Sequence, residues 1–341
     1  HKAPFCAFGS DTEQCERIWT FAETNYYWPK SESTRIEPGD IPIDPTSAYT
    51  AQLVITTSDG RSGEWDLPFT IGAHFLHTAS PANITTNWAN INHPLINGNP
   101  NAILLVTQNW SPPGSSGVYM NSLGVWYNGK AGRWAIFNQN PKHAMPARAA
   151  FNVLLPAVNV AAFVHRATAA NTNASWTEID HPLTNGNPNA ILLVTQNWNP
   201  GGSGGQYNDH SLGIWYNGKA GRWAIFNQDD AAMPAGAAFN VLVPTVEATA
   251  FVHRATAANI TAIWTEIDHP LTNGNPNAML LVTQNWNPGG SGGIHTDHPI
   301  AVWYNKQTGR WAIFNQDEAP MQVGVAFNVM AFNDQWKCPP C

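Results

Sequence analysis

Short apolar runs alternate with polar breaks along most of the chain. From residue 161 the runs AAFVHRAT, SWTEID, AILLVTQNW, LGIWYNG, GRWAIFNQ and AAFNVLVP follow one another. Each is rich in β-branched or aromatic residues and bounded by Gly, Pro or Asn, which is the pattern of strands. No stretch carries an apolar period of 3.6 residues, so no amphipathic helix is predicted. The connectors NGNPN, NPGGSGG and YNGKAG are turn chemistry, because Gly and Asn accept positive φ and Pro restricts it.

The pattern recurs three times. NHPLINGNPNAILLVTQNW begins at Asn92, DHPLTNGNPNAILLVTQNW at Asp180 and DHPLTNGNPNAMLLVTQNW at Asp268, a period of 88 residues. GRWAIFNQ recurs from Gly132, Gly221 and Gly309. The predicted fold class is all-β: an N-terminal β domain or arm at 1–71, then three tandem β-sandwich-like modules of about 88 residues. The modules are placed at 72–160, 161–248 and 249–334, with a Cys-containing tail at 335–341. Six strands in one module suffice for a small sandwich or barrel that folds alone. The connections VLLPAVNVAAF and VLVPTVEATAF are short. They predict beads in a stiff, elongated array with little between them. Ahead of the first module, AYTAQLVITTSDGRSGEWDLPFTI from Ala48 predicts a hairpin.

The stretches HPLTNGNPNAILLVTQNW, GRWAIFNQ and AFNV resemble a tandem β-module of secreted bacterial proteins of uncharacterised function, over about residues 72–334. The resemblance implies secretion and β-structure, and it brings no activity with it.

Composition narrows the function classes. Asp, Glu, Lys and Arg make up 11% of residues, against roughly 25% in an ordinary soluble domain. The 36 Asn nearly match the 39 charged residues in number, so polarity rests on amides. An amide-rich surface of low charge suits association or sugar contact. A net charge of -7 with 16 Lys+Arg gives no basic stripe for nucleic acid. No apolar run approaches the roughly 18 residues of a membrane-spanning helix. A chain that opens at His1, without a basic-then-apolar leader, is expected to be extracellular, with its signal peptide already removed. Sequons at Asn83, Asn109, Asn173 and Asn259 are candidate glycosylation sites.

Four Trp recur in every module: Trp88, Trp176 and Trp264; Trp110, Trp198 and Trp286; Trp126, Trp215 and Trp303; Trp134, Trp223 and Trp311. Trp packs cores with its N–H satisfied, or it stacks on sugar rings. In the second reading Trp110, Trp198 and Trp286, with Asn109, Asn197 and Asn285 beside them, are candidate glycan-binding residues. His77, His165, His253, His93, His181 and His269 recur too. Their spacing is not that of a closed zinc site, and the second set reads as Asx-turn capping before Pro. Asn208-Asp209-His210 is a short acidic turn rather than a calcium loop.

Enzyme chemistry finds little support. Glu178 and Glu266 become Asn90 in the first module, and Asp229 becomes Asn140, so no carboxylate pair is kept for hydrolysis. No G-x-S-x-G or H-E-x-x-H occurs. No catalytic residue, metal or cofactor is expected.

The four cysteines, Cys6, Cys15, Cys338 and Cys341, sit only near the ends, and a secreted chain should oxidise them. The Pro-Pro between Cys338 and Cys341 favours polyproline II, which spaces them by about 9 Å, beyond the roughly 7 Å that a disulfide bridges. A local Cys6–Cys15 bridge and inter-subunit bridges both stay open. The leading expectation is therefore a structural subunit of an extracellular filament or matrix, assembling head-to-tail with copies of itself. The alternative is a secreted multivalent adhesin for cell-surface or matrix glycans.

Overall fold

The computed structural model describes residues 73–110, 112, 121–156, 161–244 and 249–332 in full, and the backbone of strands at 18–21, 24–27, 49–56 and 62–69. The chain divides into two compact units, Pro45–Asn333 and a second made of His1–Asp44 with Asp334–Cys341. Of the second unit, β1 (Ile18–Phe21) and β2 (Thr24–Tyr27) are described as an antiparallel pair. All four cysteines lie outside the described residues.

The larger unit opens with the expected hairpin, β3 (Tyr49–Thr56) against β4 (Ser62–Phe69). The first module follows as β5 (Ala73–Thr78), β6 (Ile84–Thr85), β7 (Trp88–Asn90), β8 (Leu105–Gln108), β9 (Leu123–Asn128), β10 (Arg133–Asn138) and β11 (Ala150–Leu155). The second repeats it as β12 (Ala162–Arg166), β13 (Thr172–Asn173), β14 (Trp176–Glu178), β15 (Leu193–Asn197), β16 (Leu212–Asn217), β17 (Arg222–Asn227) and β18 (Ala238–Leu242). The third is β19 (Ala250–Arg254), β20 (Ile260–Thr261), β21 (Trp264–Glu266), β22 (Met279–Asn285), β23 (Ile300–Asn305), β24 (Arg310–Asn315) and β25 (Ala326–Phe332). The all-β class holds, with seven strands per module rather than six. The extra strand is a two-residue arm that turns back through Thr86, Ala174 or Ala262, each at φ +50°.

Each module is a sandwich of a three-stranded sheet (β5-β11-β8 in the first) and a four-stranded one (β9-β10-β7-β6). The core of the first module packs Trp134 and Ile136 against Phe151 and Val153, all fully buried. Trp223 with Phe239 and Trp311 with Phe327 repeat it. The core indoles donate to Asn99 O, Asn187 O and Asn275 O, each at 2.8 Å, so the turn before β8 and its counterparts is tied to the core.

The elongated array is overturned. The sandwiches close into a ring with pseudo-threefold symmetry. β15 of the second module pairs in parallel with β9 of the first, and β22 of the third with β16 of the second. A parallel bridge from Asn109 to Val302 joins the first module back to the third. One set of hydrogen bonds recurs around the ring: Trp198 N to Val125 O at 2.8 Å, Trp286 N to Ile214 O at 2.8 Å, and Trp110 N to Val302 O at 2.9 Å. At the centre, Val106 N donates to Thr195 Oγ1, Val194 N to Thr283 Oγ1 and Val282 N to Thr107 Oγ1, all at 2.9 Å. The physical reason is a second apolar face. In β10, Ala135 and Phe137 are buried as well as Trp134 and Ile136, and strands buried on both sides cannot stand as free beads. Leu105, Leu154, Leu193, Leu242 and Leu281 form one further core drawn from all three modules.

An Asn relay ties each seam. Asn109 donates to Asn152 at 2.9 Å, and Asn152 donates to Leu280 O of the third module at 2.9 Å. Asn197 and Asn240 reach Leu104 O of the first module in the same way, and Asn285 and Asn328 reach Leu192 O of the second. All six asparagines are at most 5% exposed. Asn240→Ala should leave Leu104 O buried without its partner and lower stability by about 1–3 kcal/mol, measured by denaturant unfolding. Calorimetry of the wild type should give one cooperative transition for residues 73–332. Three separable transitions would mean that the ring does not couple its modules.

Candidate functional site

The glycan candidates meet at the seams. Asn109, Asn197 and Asn285 are buried in the relay just described, so their amides face the protein and not a ligand. The neighbouring Trp form triads across the joints. Trp126 packs edge-on to Trp88 at 5.4 Å and to Trp198 of the next module at 6.1 Å. Trp215 joins Trp176 and Trp286 at 5.6 and 6.3 Å, and Trp303 joins Trp264 and Trp110 at 5.4 and 6.1 Å. Gly205 lies against the indole of Trp198, and Gly293 against that of Trp286, so closely that a Cβ at either would overlap the ring. These indoles therefore act as seam packing. Trp110, 39% exposed, is the most open of its set.

Among the sequons, Asn109 is buried and bonded, which leaves no room for a glycan in the folded chain. Asn83 and Asn259 donate their amides to Thr78 O and Arg254 O at 3.0 Å, which a glycan on Nδ2 would disturb. Asn173 is exposed.

The histidines are structural in two ways. His165 and His253 are buried, and Nε2 of each meets Thr177 Oγ1 at 2.8 Å and Thr265 Oγ1 at 2.9 Å. Each hydroxyl in turn donates to Asn171 or Asn259, so the imidazole carries its proton on Nε2. His77 has Ala89 at the Thr position, and its Nε2 is buried without a partner. Burial lowers all three to about 4. The second set stacks on Phe: His93 on Phe75 at 4.5 Å, His181 on Phe163 at 4.0 Å and His269 on Phe251 at 3.8 Å. The expected Asx turn does not form, because Pro94, Pro182 and Pro270 lack the N–H it needs; instead Asn97 donates to Asn92, Asn185 to Asp180 and Asn273 to Asp268 side chain to side chain. No cluster of three metal-ligating side chains occurs among the described residues.

A cavity of about 110 Å³ lies between the modules, lined by Gln108, Gln196 and Gln284 and flanked by Asn121, His210 and His298. His210 is bonded to Asp229 at 2.7 Å and His298 to Asp317 at 2.6 Å. Asp209 has its carboxyl pushed up by burial, against the opposing pull of His210 and His143.

A second space, about 250 Å³, is a groove at the seam of the first two modules. Pro100, Asn101 and Ala102 of the first form one wall, and Val164 and Arg166 of the second the other, with Pro200 and Gly201 beside them and Asn197 at hand. Gly201 N donates to Pro100 O at 3.1 Å. Gly201 and Gly202 hold φ at +79°, the left-handed region that Gly enters without a Cβ penalty. Asn199 adds a clamp, accepting from Tyr127 N at 2.7 Å and donating to Tyr127 O at 2.9 Å. The next seam repeats these contacts with Gly289 N to Pro188 O at 3.2 Å and Asn287 on Tyr216. At the third seam Leu76, Thr78 and Pro276 stand in the positions of Val164, Arg166 and Pro100. Val164, Val252 and Leu76 are all exposed, at 37%, 40% and 42%. Of these groove residues only Asn197 was a candidate in the sequence, although Val164, Val252 and Leu76 lie at one repeat position.

Residues 68–142, 124–220 and 214–331 each match one family model, a domain of unknown function, DUF7452. The second and third matches begin inside β9 and β16, the strands that join neighbouring modules. No curated protein and no solved structure matches the chain.

The buried imidazoles set an acid limit on the fold. Their folded pKa lies below the unfolded value of 6.5, so the unfolded chain binds protons first. Stability is complete above pH 6.5 and falls as pH drops towards 4. The loss is roughly 3 kcal/mol per imidazole at most, at 1.36 kcal/mol per pKa unit. Denaturant midpoints at pH 7, 5.5 and 4.5 should fall in that order, and His253→Gln should flatten the dependence. An equal slope in that variant would assign the acid limit to other groups.

Proposed function

We propose that this chain, which belongs to the DUF7452 family through three consecutive domains, is an extracellular, non-catalytic binding protein that presents its seam grooves to glycans. The observation that carries this reading is the seam groove itself. It is concave, walled by apolar Pro100 and Val164, and edged by the exposed Asn101. Ligand sites favour such junctions, where an apolar wall meets a few placed polar groups. An exposed amide and a flat apolar wall suit the hydroxyls and the C–H face of a sugar ring. Grooves repeated around one rigid ring would bind several branches of a glycan at once, so weak single contacts add up to avidity. The low surface charge and high Asn content accord with a neutral, hydrogen-bonding surface.

The test is retention on a panel of immobilised glycans. Wild type should be held by dense glycan surfaces and released by soluble oligosaccharide. The double variant Val164→Trp with Val252→Trp fills two grooves at exposed strand positions that tolerate an aromatic. It should melt like wild type and lose most of its retention. Wild type that binds nothing on the panel, or a filled variant that binds equally well, would sink the reading.

A second reading, a structural subunit linked head-to-tail, is favoured by the confinement of all four cysteines to positions 6–15 and 338–341. Electrophoresis of the full chain without reductant should then give a ladder that collapses with reductant. Monomer in both lanes argues against it.

A further inference from the structure

Resting on the seam-binding reading above, we infer that the sugars taken are acidic, bearing a carboxylate or a sulfate, and that two of the three seams take them. Arg166 forms one wall of the groove between the first two modules, and its Nη2 donates to Pro200 O at 3.1 Å. Arg254 does the same to Pro288 O at 3.2 Å in the next seam. That single backbone bond arrests each guanidinium while leaving its other N–H groups for a ligand. Neither arginine has a carboxylate partner among the described residues. Arg222 and Arg310, by contrast, are paired with Asp180 and Asp268 at 2.9 and 3.0 Å.

An exposed, positioned guanidinium without a counter-ion is an anion site in waiting. Its planar fork matches a carboxylate or sulfate with two parallel bonds. The groove, at about 250 Å³, falls just below the roughly 300 Å³ where pockets for drug-sized ligands begin, which fits a single sugar ring. The apolar wall of Pro100 and Val164 would lie under that ring, with the acid group towards Arg166. The chain's net charge of -7 gives anions no long-range attraction, so selection rests on this contact. At the third seam Thr78 replaces the arginine, and a hydroxyl cannot neutralise an anion. Two acidic subsites and one neutral seam follow.

Calorimetric titration of the full chain separates the outcomes. The probes are a uronate trisaccharide, its carboxyl-reduced neutral counterpart and a sulfated neutral trisaccharide. The expected result is two sites per chain for at least one acidic probe and at least tenfold weaker binding of the neutral one. Binding of the uronate alone or of the sulfated probe alone identifies the source of the anion. Arg166→Gln and Arg254→Gln should each remove one site with an unchanged melting temperature, and Thr78→Arg should add a third. Neutral and acidic probes bound alike, with both sites kept in the Gln variants, would overturn the acidic assignment and leave seam binding standing. Three acidic sites in wild type would overturn the two-seam assignment. No binding of any probe, in a chain that also ignores the glycan panel, would overturn the acidic assignment together with the reading beneath it.

Discussion

Everything else in the ring depends on the backbone of one module being satisfied by side chains of the next. A sheet edge placed against another domain carries N–H and C=O groups that lose water and need partners. Here the partners are short side chains: Thr107, Thr195 and Thr283 accept from the facing strand, while Asn152, Asn240 and Asn328 donate to a carbonyl two residues earlier in that same neighbour. Both sets run in one sense around the ring, so each module grips one neighbour with its side chains and is gripped through its backbone by the other. The high Asn content therefore has an interior role as well as a surface one. A longer amide or an aliphatic residue at these positions would leave a carbonyl buried and unpaired.

That constraint also accounts for the near-identity of the modules. Adjacent similar domains are prone to swap or misassemble. A closed ring requires the opposite: each module must present one surface to its predecessor and the complementary surface to its successor, as in any head-to-tail assembly that closes. Divergence at the Thr and Asn relay positions would leave buried backbone groups unpaired. Divergence is seen outside that relay. The first module has Ala89 in place of the Thr that satisfies His165 and His253, and it has Ser111 where the others place a clamping Asn.

Rigidity and asymmetry together shape the proposed binding. Because the seams are locked by buried bonds, their grooves are preorganised, and a ligand would not have to order a loop to enter. The third seam differs from the others at the position of Arg166, so the ring would present two grooves of one kind and one of another. Three repeats would in this way offer two specificities on one scaffold.

Much of the architecture was legible from residue order alone. Strand and turn chemistry is local, so the runs from GRWAIFNQ to AFNV marked themselves, and the 88-residue period counted the modules. The repeated Trp were legible as core or sugar-stacking residues, and the structure assigned Trp134, Trp223 and Trp311 to the cores, with each indole bonded to the turn at NGNPN. Closure was hinted at by Ala135 and Phe137 filling the face opposite Trp134, a run apolar on both sides that a lone sandwich does not need. Which neighbour covers that face is a non-local fact, and short connections alone suggested an extended array. Only the tertiary structure decided that Asn109, Asn197 and Asn285 are interior ties, that the Trp triads seal joints, and that Arg166 and Arg254 border grooves. Residues 34 positions apart meet at Arg166 and Pro200, and residues 128 apart at Asn152 and Leu280, and residue order carries no measure of which pairs meet.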